Sequence, residues 1–234
     1  MKKDHDMKYM LRDTKEVLNY EDEVRRRLAN ISLPATLTTA VLDAIGIDVV
    51  NTVNPPTTNI IQEVKELAPA LGQDGKLWQQ WQTIDLRAGK TTAELNALLT
   101  KVMDNKKEEV DTTRDTMLTN GYSYTFSTAG RKVLQTRYNA DMVNWLGLSQ
   151  EASLASLEGR DQEMVGIITA DNTIVSVPYS ECLTIMRQMA TWRSAVIFRS
   201  RELKNNLDLA VIGVAPYTAI DIVMSFNIAG GWPS

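Results

Sequence analysis

The sequence predicts an α+β protein: two small α+β domains joined by a long amphipathic helix with a coiled-coil-like stripe. Three observations predict it. Thr91-x-x-Glu94 matches a capping box at the head of a long helix-compatible run. Tyr122-Ser123-Tyr124-Thr125-Phe126 alternates aromatic and polar residues, the pattern of a half-buried strand. From Tyr179 to Leu209 the residues Cys182, Met186, Met189, Val196 and Leu203 mark one apolar stripe on a second long helix. The expected division is 1–90, an N-terminal docking domain; 91–119, the connecting helix; and 120–234, a C-terminal domain.

In the first domain, Met7 to Leu11 reads as a short strand and Glu21 to Ala29 as a charged helix, broken at Ser32-Leu33-Pro34. Thr38 to Ile45 has helical spacing at Val41, Leu42 and Ile45, and Gly46 follows where a helix C-cap belongs. Ile47 to Val53 reads as a strand stopped by Pro55-Pro56. A mixed segment leads to a turn at Gly72, Asp74 and Gly75. The run through Ile84 then suits a strand, on which Trp78 and Trp81 would face opposite sides.

In the connecting helix, Leu99, Met103, Val110 and Met117 fall on alternating steps of four and three, with Lys106 and Thr113 completing the seam. The remaining surface is charged, so one side alone can be buried. Two readings follow: the helix lies on its own domain, or it pairs with symmetry mates. Asn120-Gly121 then marks a turn. After the aromatic strand, Ser127 or Thr128 can cap a helix bearing Leu134, Tyr138, Met142 and Trp145 on one face and ending at Gly147. A short helix over 149–157 follows, and then a hairpin over 164–177 that turns at Ala170-Asp171-Asn172. Pro216 interrupts the final segment, which runs through an apolar stretch to Trp232.

The composition narrows the chemistry. A net charge of −4 gives no long-range field for nucleic acid. Arg187, Arg193, Arg199, Arg201 and Lys204 on the last long helix read as a solvated face with snorkelling stems. The single cysteine, Cys182, reads as a small buried apolar residue, and the single histidine, His5, lies in a charged N-terminal run. That inventory supplies no catalytic dyad or triad, metal set or phosphate-cradling loop, so no catalytic, cofactor or metal residue is assigned. No stretch is apolar enough to span a bilayer, and the first residues do not resemble a signal peptide. Synthesis in a cytoplasm is expected.

Several motifs follow one another along the chain. They are Gly121-Tyr122-x-Tyr124-x-Phe126, a helix through Trp145, Thr169-Ala170-Asp171-Asn172-Thr173-Ile174-Val175, a long helix with Trp192, Phe198 and Arg201-Glu202-Leu203-Lys204, and the ending Gly230-Gly231-Trp232-Pro233. In this order they resemble a domain family of unknown biochemical function encoded beside or within bacteriophage tail-fibre proteins. Ser32-x-Pro34, Pro55-Pro56, and Gly75 with Trp78 and Trp81 resemble the partner region of such chains. The resemblance covers most of 7–234. It implies a non-enzymatic structural part of the virion tail, assembled in the host cytoplasm, that connects or caps the tail fibre at the baseplate. Other tail proteins and further copies of the chain would be its partners. The alternatives are a tail-fibre assembly chaperone and a host-glycan depolymerase. The depolymerase would need paired carboxylates, and Asp104, Glu108, Glu109 and Asp111 lie on the charged helix without an aromatic platform nearby in sequence. The candidate interface residues are Leu99, Met103, Val110, Met117, Trp78, Trp81 and Trp232.

Overall fold

The computed structural model describes residues 7–137 and 140–233. The chain is mixed α+β. It divides into two compact units, one up to Lys90 and one from Thr91 onward.

The first unit is a mixed five-stranded sheet with two short helices. β1 (Lys8–Leu11) lies between β2 (Val17–Leu18) and β3 (Ile47–Asn51), antiparallel to both. β5 (Leu77–Asp85) runs parallel to β3, and β4 (Gln62–Leu71) closes the far edge antiparallel to β5. α1 (Glu21–Arg27) is acidic in its first turn and basic in its last, which suits the helix dipole. Arg25 reaches the carbonyls of Pro34 and Ala35, so the Ser-x-Pro break is held against this helix. α2 (Thr39–Ala44) is capped by Thr38, whose hydroxyl accepts from the Val41 amide. Gly46 follows it at φ +73°, the conformation expected of a glycine helix stop. Tyr9, Leu11 and Ile47 share one sheet face and bury against Leu18, Val24 and Leu42.

β4 is a strand where the sequence reads as mixed. Most of its residues are exposed, Glu63, Lys65 and Glu66 interrupt any alternation, and Pro69 sits at a break in register between Leu67 and Ala70. Proline without an amide is tolerated at such an edge, where it also discourages pairing with other chains.

The second unit begins with α3 (Thr92–Asn120). Its cap is reciprocal: the Glu94 amide donates to the Thr91 hydroxyl, and the Thr91 amide donates to the Glu94 carboxylate at 2.8 Å. The helix expected to stand between two domains is therefore part of the second unit. Lys107 meets Asp208 at 2.7 Å and Lys204 meets Asp111 at 2.7 Å, so α3 runs antiparallel to α5 (Tyr179–Ala210). α6 (Pro216–Ser225) packs along α3, and Pro216 occupies its first turn, where the missing amide costs nothing. The proline read as an interruption is thus a helix start.

β6 (Tyr122–Phe126) is followed by β7 (Gly130–Leu134) as a hairpin, where a helix was expected. Gly130, at φ +67°, turns the chain back, and Leu134 ends in the core as a strand residue. Tyr138 lies outside the described residues, as does His5. Met142 and Trp145 do belong to a helix, α4 (Ala140–Leu157). It passes straight through Gly147 instead of breaking there. A mid-helix glycine costs about 1 kcal/mol relative to alanine, and the flanking core residues Trp145, Ala152 and Ala155 offset it.

β8 (Met164–Ile168) and β9 (Ile174–Pro178) form the expected hairpin. Asp171 organises its turn by accepting from Lys132 at 2.7 Å and from the hydroxyls of Thr169 and Thr173. These contacts, Lys132 first, hold its carboxyl well below the usual range. The core gathers Phe126, Leu134, Trp145, Ile167, Val175 and Val177 onto the first turns of α5, where Cys182, Ile185, Met186 and Met189 are buried. Farther along α5, Val196, Leu203 and Leu207 continue the buried stripe, with Val102 and Val110 of α3 and Ala219, Ile220 and Val223 of α6 buried in the same unit.

Among the described glycines, the one at the entry to the β6–β7 hairpin leaves least room for a side chain. Gly121 has φ +90°, and a Cβ there would lie 2.3 Å from the Leu134 carbonyl oxygen. Gly121→Ala is expected to destabilise the second unit by about 2–3 kcal/mol, from backbone strain and displaced strand pairing. The urea midpoint should fall with an unchanged slope. An unmoved midpoint would mean that the hairpin entry adjusts freely.

Candidate functional site

The seven candidate interface residues are divided between the two units. Trp78 and Trp81 lie in the first unit. Leu99, Met103, Val110, Met117 and Trp232 lie in the second.

Each tryptophan has a local task. The Trp78 indole donates to Asp74 at 3.0 Å across the β4–β5 turn, and a Cβ on Gly72 would lie 2.7 Å from its ring. Trp81 donates to the Val53 carbonyl at 2.8 Å and so fastens the segment after β3. Both are half-buried. Trp232 is also half-buried and donates to the Ile228 carbonyl at 2.7 Å. Next to it, Arg199 of α5 donates to the Gly230 carbonyl at 2.7 Å, so the tail is anchored within its own unit.

The α3 stripe is used mainly inside the chain. Val110 is fully buried, while Leu99, Met103 and Met117 are half-buried. The Val110 side chain is covered within the second unit, as the reading in which the helix lies on its own domain expects.

The basic side chains of α5 need a similar correction. Three of the five tie elements together instead of forming a solvated face. Arg193 donates to the Thr136 carbonyl, Arg199 holds the tail, and Lys204 pairs with Asp111. Glu109 pairs with Lys106, and Asp111 also pairs with Arg114, so two of the four α3 carboxylates considered for acid–base chemistry serve as ion-pair partners. Cys182 is fully buried, and desolvation pushes its thiol up to about 11, which disfavours the thiolate. Among the described residues no group of three or more His, Cys, Asp or Glu side chains could hold a metal ion. Among them, too, no helix is long and apolar enough to cross a membrane.

What the surface does offer is apolar. In the β8–β9 register Met164 faces Pro178, Gly166 faces Ser176 and Ile168 faces Ile174. The inner-face residues Ile167, Val175 and Val177 enter the core. On the outer face Met164, Ile168 and Ile174 are 58%, 62% and 72% exposed. Beside this hairpin a groove of about 430 Å³ lies against α4, with Trp145, Leu148 and Ile167 in its wall and the Arg137–Asp141 ion pair also lining it. On α4 itself Val143, Leu146, Leu154 and Leu157 are exposed. These residues are missing from the candidates drawn from sequence, yet a signal was present. Met164-Val165-Gly166-Ile167-Ile168 is apolar on both faces, a pattern that calls for cover on both.

A protein-family model described as Domain of unknown function (DUF4376) matches residues 101–224, more than half of the chain. The chain belongs to this family. The DUF4376 match starts within α3 and ends within α6, so it takes in most of the second unit and leaves out the first unit and the tryptophan-bearing tail. No curated protein and no solved structure matches the chain.

Proposed function

We propose that the chain is a non-enzymatic structural component of a bacteriophage tail, joining or capping the tail fibre at the baseplate. It is assembled in the host cytoplasm and retained in the virion. The observation that carries this reading is the outer face of β8–β9, where Met164, Ile168 and Ile174 stand in solvent beside a groove walled by Trp145 and Leu148 and by the Arg137–Asp141 ion pair. Exposed apolar side chains grouped on one strand face suit contact with a protein partner. The order of motifs from Gly121 to Trp232 resembles that of tail-fibre-associated chains, and the kind of partner proposed rests on that resemblance. The extensive internal pairing of charges favours packing over recognition of a polyanion.

A mass-spectrometric inventory of purified particles tests the proposal. The expected result is a copy number fixed by tail symmetry, together with loss of incorporation for Ile168→Asp with Ile174→Asp. Absence from mature particles, combined with capture on the folding fibre, would favour the assembly-chaperone alternative. Turnover of a host glycan by the purified protein would refute the non-enzymatic reading.

A further inference from the structure

We infer that the outward face of α5 is a self-association seam on which a second copy of this chain docks antiparallel, about a two-fold axis at Asn205. This inference stands apart from the proposed tail role and uses a different surface.

At about 100° per residue, the buried residues of α5 (Ile185, Met189, Val196, Leu203 and Leu207) cluster on one side. Phe198, Asn205 and Leu209 lie diametrically opposite, and Ile212 follows in the turn just past the helix end. Phe198, Leu209 and Ile212 are 65%, 65% and 71% exposed. A single exposed apolar residue needs no explanation, but Phe198 and Leu209 on one helix face, with Ile212 in the turn just beyond it, form a seam.

The arrangement is self-complementary. Phe198 and Ile212 each lie seven residues from Asn205, one before it and one after. A two-fold axis through Asn205 therefore sets Phe198 of one copy on Ile212 of the other, twice over, as an isologous interface requires. At the axis the two Asn205 amides face each other. An amide both donates and accepts, so the pair can be satisfied and fixes the register.

The charges favour the same orientation. Arg201 is exposed and has no carboxylate partner among the described residues. Asp208 meets Lys107 at 2.7 Å, and its side chain stays half exposed. Arg201 and Asp208 lie on the same flank of the seam, and antiparallel helices bring like flanks together. Each Arg201 then meets the Asp208 of the second copy, offset by one residue, or about 1.5 Å along the axis. A parallel pair would turn Arg201 toward the opposite flank, where Arg199 already holds Glu202 at 2.8 Å.

Cysteine cross-linking of the full chain tests the seam, since the native Cys182 is fully buried and will not compete. Under mild oxidation Asn205→Cys should cross-link with itself. Phe198→Cys and Ile212→Cys should stay monomeric alone and cross-link when mixed. In a concentration series by analytical ultracentrifugation the wild type should shift from monomer to dimer. Phe198→Asp should remain monomeric with an unchanged helical signal, because the replaced side chain is exposed. Arg201→Asp should weaken the dimer, and Arg201→Asp with Asp208→Arg should restore it. Self-cross-linking of Phe198→Cys, a wild type that stays monomeric at every concentration, or a dimer indifferent to Phe198→Asp would overturn the inference.

Discussion

Val110→Lys is expected to cost the second unit about 3–5 kcal/mol, the usual result of leaving a charge unpaired in a core. Val110 has no exposed surface and sits at the middle of α3, on the helix that packs against both α5 and α6. A lysine there must push its ammonium out through one of those contacts or bury it neutral, and both routes open the packing. For a unit of this size the melting temperature should fall by about 10–20 °C. Met103→Lys provides the contrast. Met103 is only half-buried, so a lysine can lay its stem on the surface and keep its charge in water, at a cost of about 1 kcal/mol or less. Thermal melts followed by the fluorescence of the buried Trp145 and Trp192 separate the two cases. If Val110→Lys melted with the wild type while lowering its mass in light scattering, the α3 stripe would belong between subunits.

The fold was legible wherever local chemistry and long-range packing agree. Thr91 and Glu94 announce α3, and Gly121 ends it for reasons of its own backbone. Asp171 and Asn172 announce the β8–β9 turn, and the α5 stripe from Cys182 to Leu203 is buried throughout. The misreadings have a common physical origin. Leu134 belongs to a strand yet falls in helical step with Met142, and only the Gly130 turn decides between the two. β4 is an exposed edge whose pairing to β5 supplies its order, so its own sequence carries no alternation to read. Pro216 looks like a break until the helix after it is given a surface on α3 to cover.

The candidate site was less legible than the fold. A tryptophan in a sequence shows its size but not its hydrogen-bond partner. For Trp81 that partner is the Val53 carbonyl, far back along the chain. The exposed apolar residues were hidden for the opposite reason. Periodicity finds the face that a helix or strand buries, whereas Phe198, Leu209 and Ile168 occupy the other face and become conspicuous only when solvent exposure is known.

Deleting residues 218–234 is expected to abolish cooperative folding of the second unit. The deletion removes Ala219, Ile220 and Val223, all fully buried. Burial of Ile220 and Val223 contributes roughly 1.5–3 kcal/mol each, and the α3 and α5 surfaces they cover would be exposed as well. Against a total stability of about 5–15 kcal/mol for a domain, that loss leaves little margin. A shorter deletion, 226–234, isolates the tail. It removes the Arg199 bond to the Gly230 carbonyl and the half-buried Trp232 but spares every fully buried residue of α6. A hydrogen bond to a charged group contributes about 1.5–3 kcal/mol, so this variant should fold with a lower melting temperature. Limited proteolysis discriminates further. In the full chain α6 should resist chymotrypsin at Tyr217 and Phe226 much longer than in a denatured control. In the 226–234 deletion cleavage at Tyr217 should accelerate modestly, and in the 218–234 deletion the second unit should be degraded throughout. Wild-type resistance and melting in the 218–234 deletion would show that α6 is dispensable to the core and that its buried side chains contribute far less than their area implies.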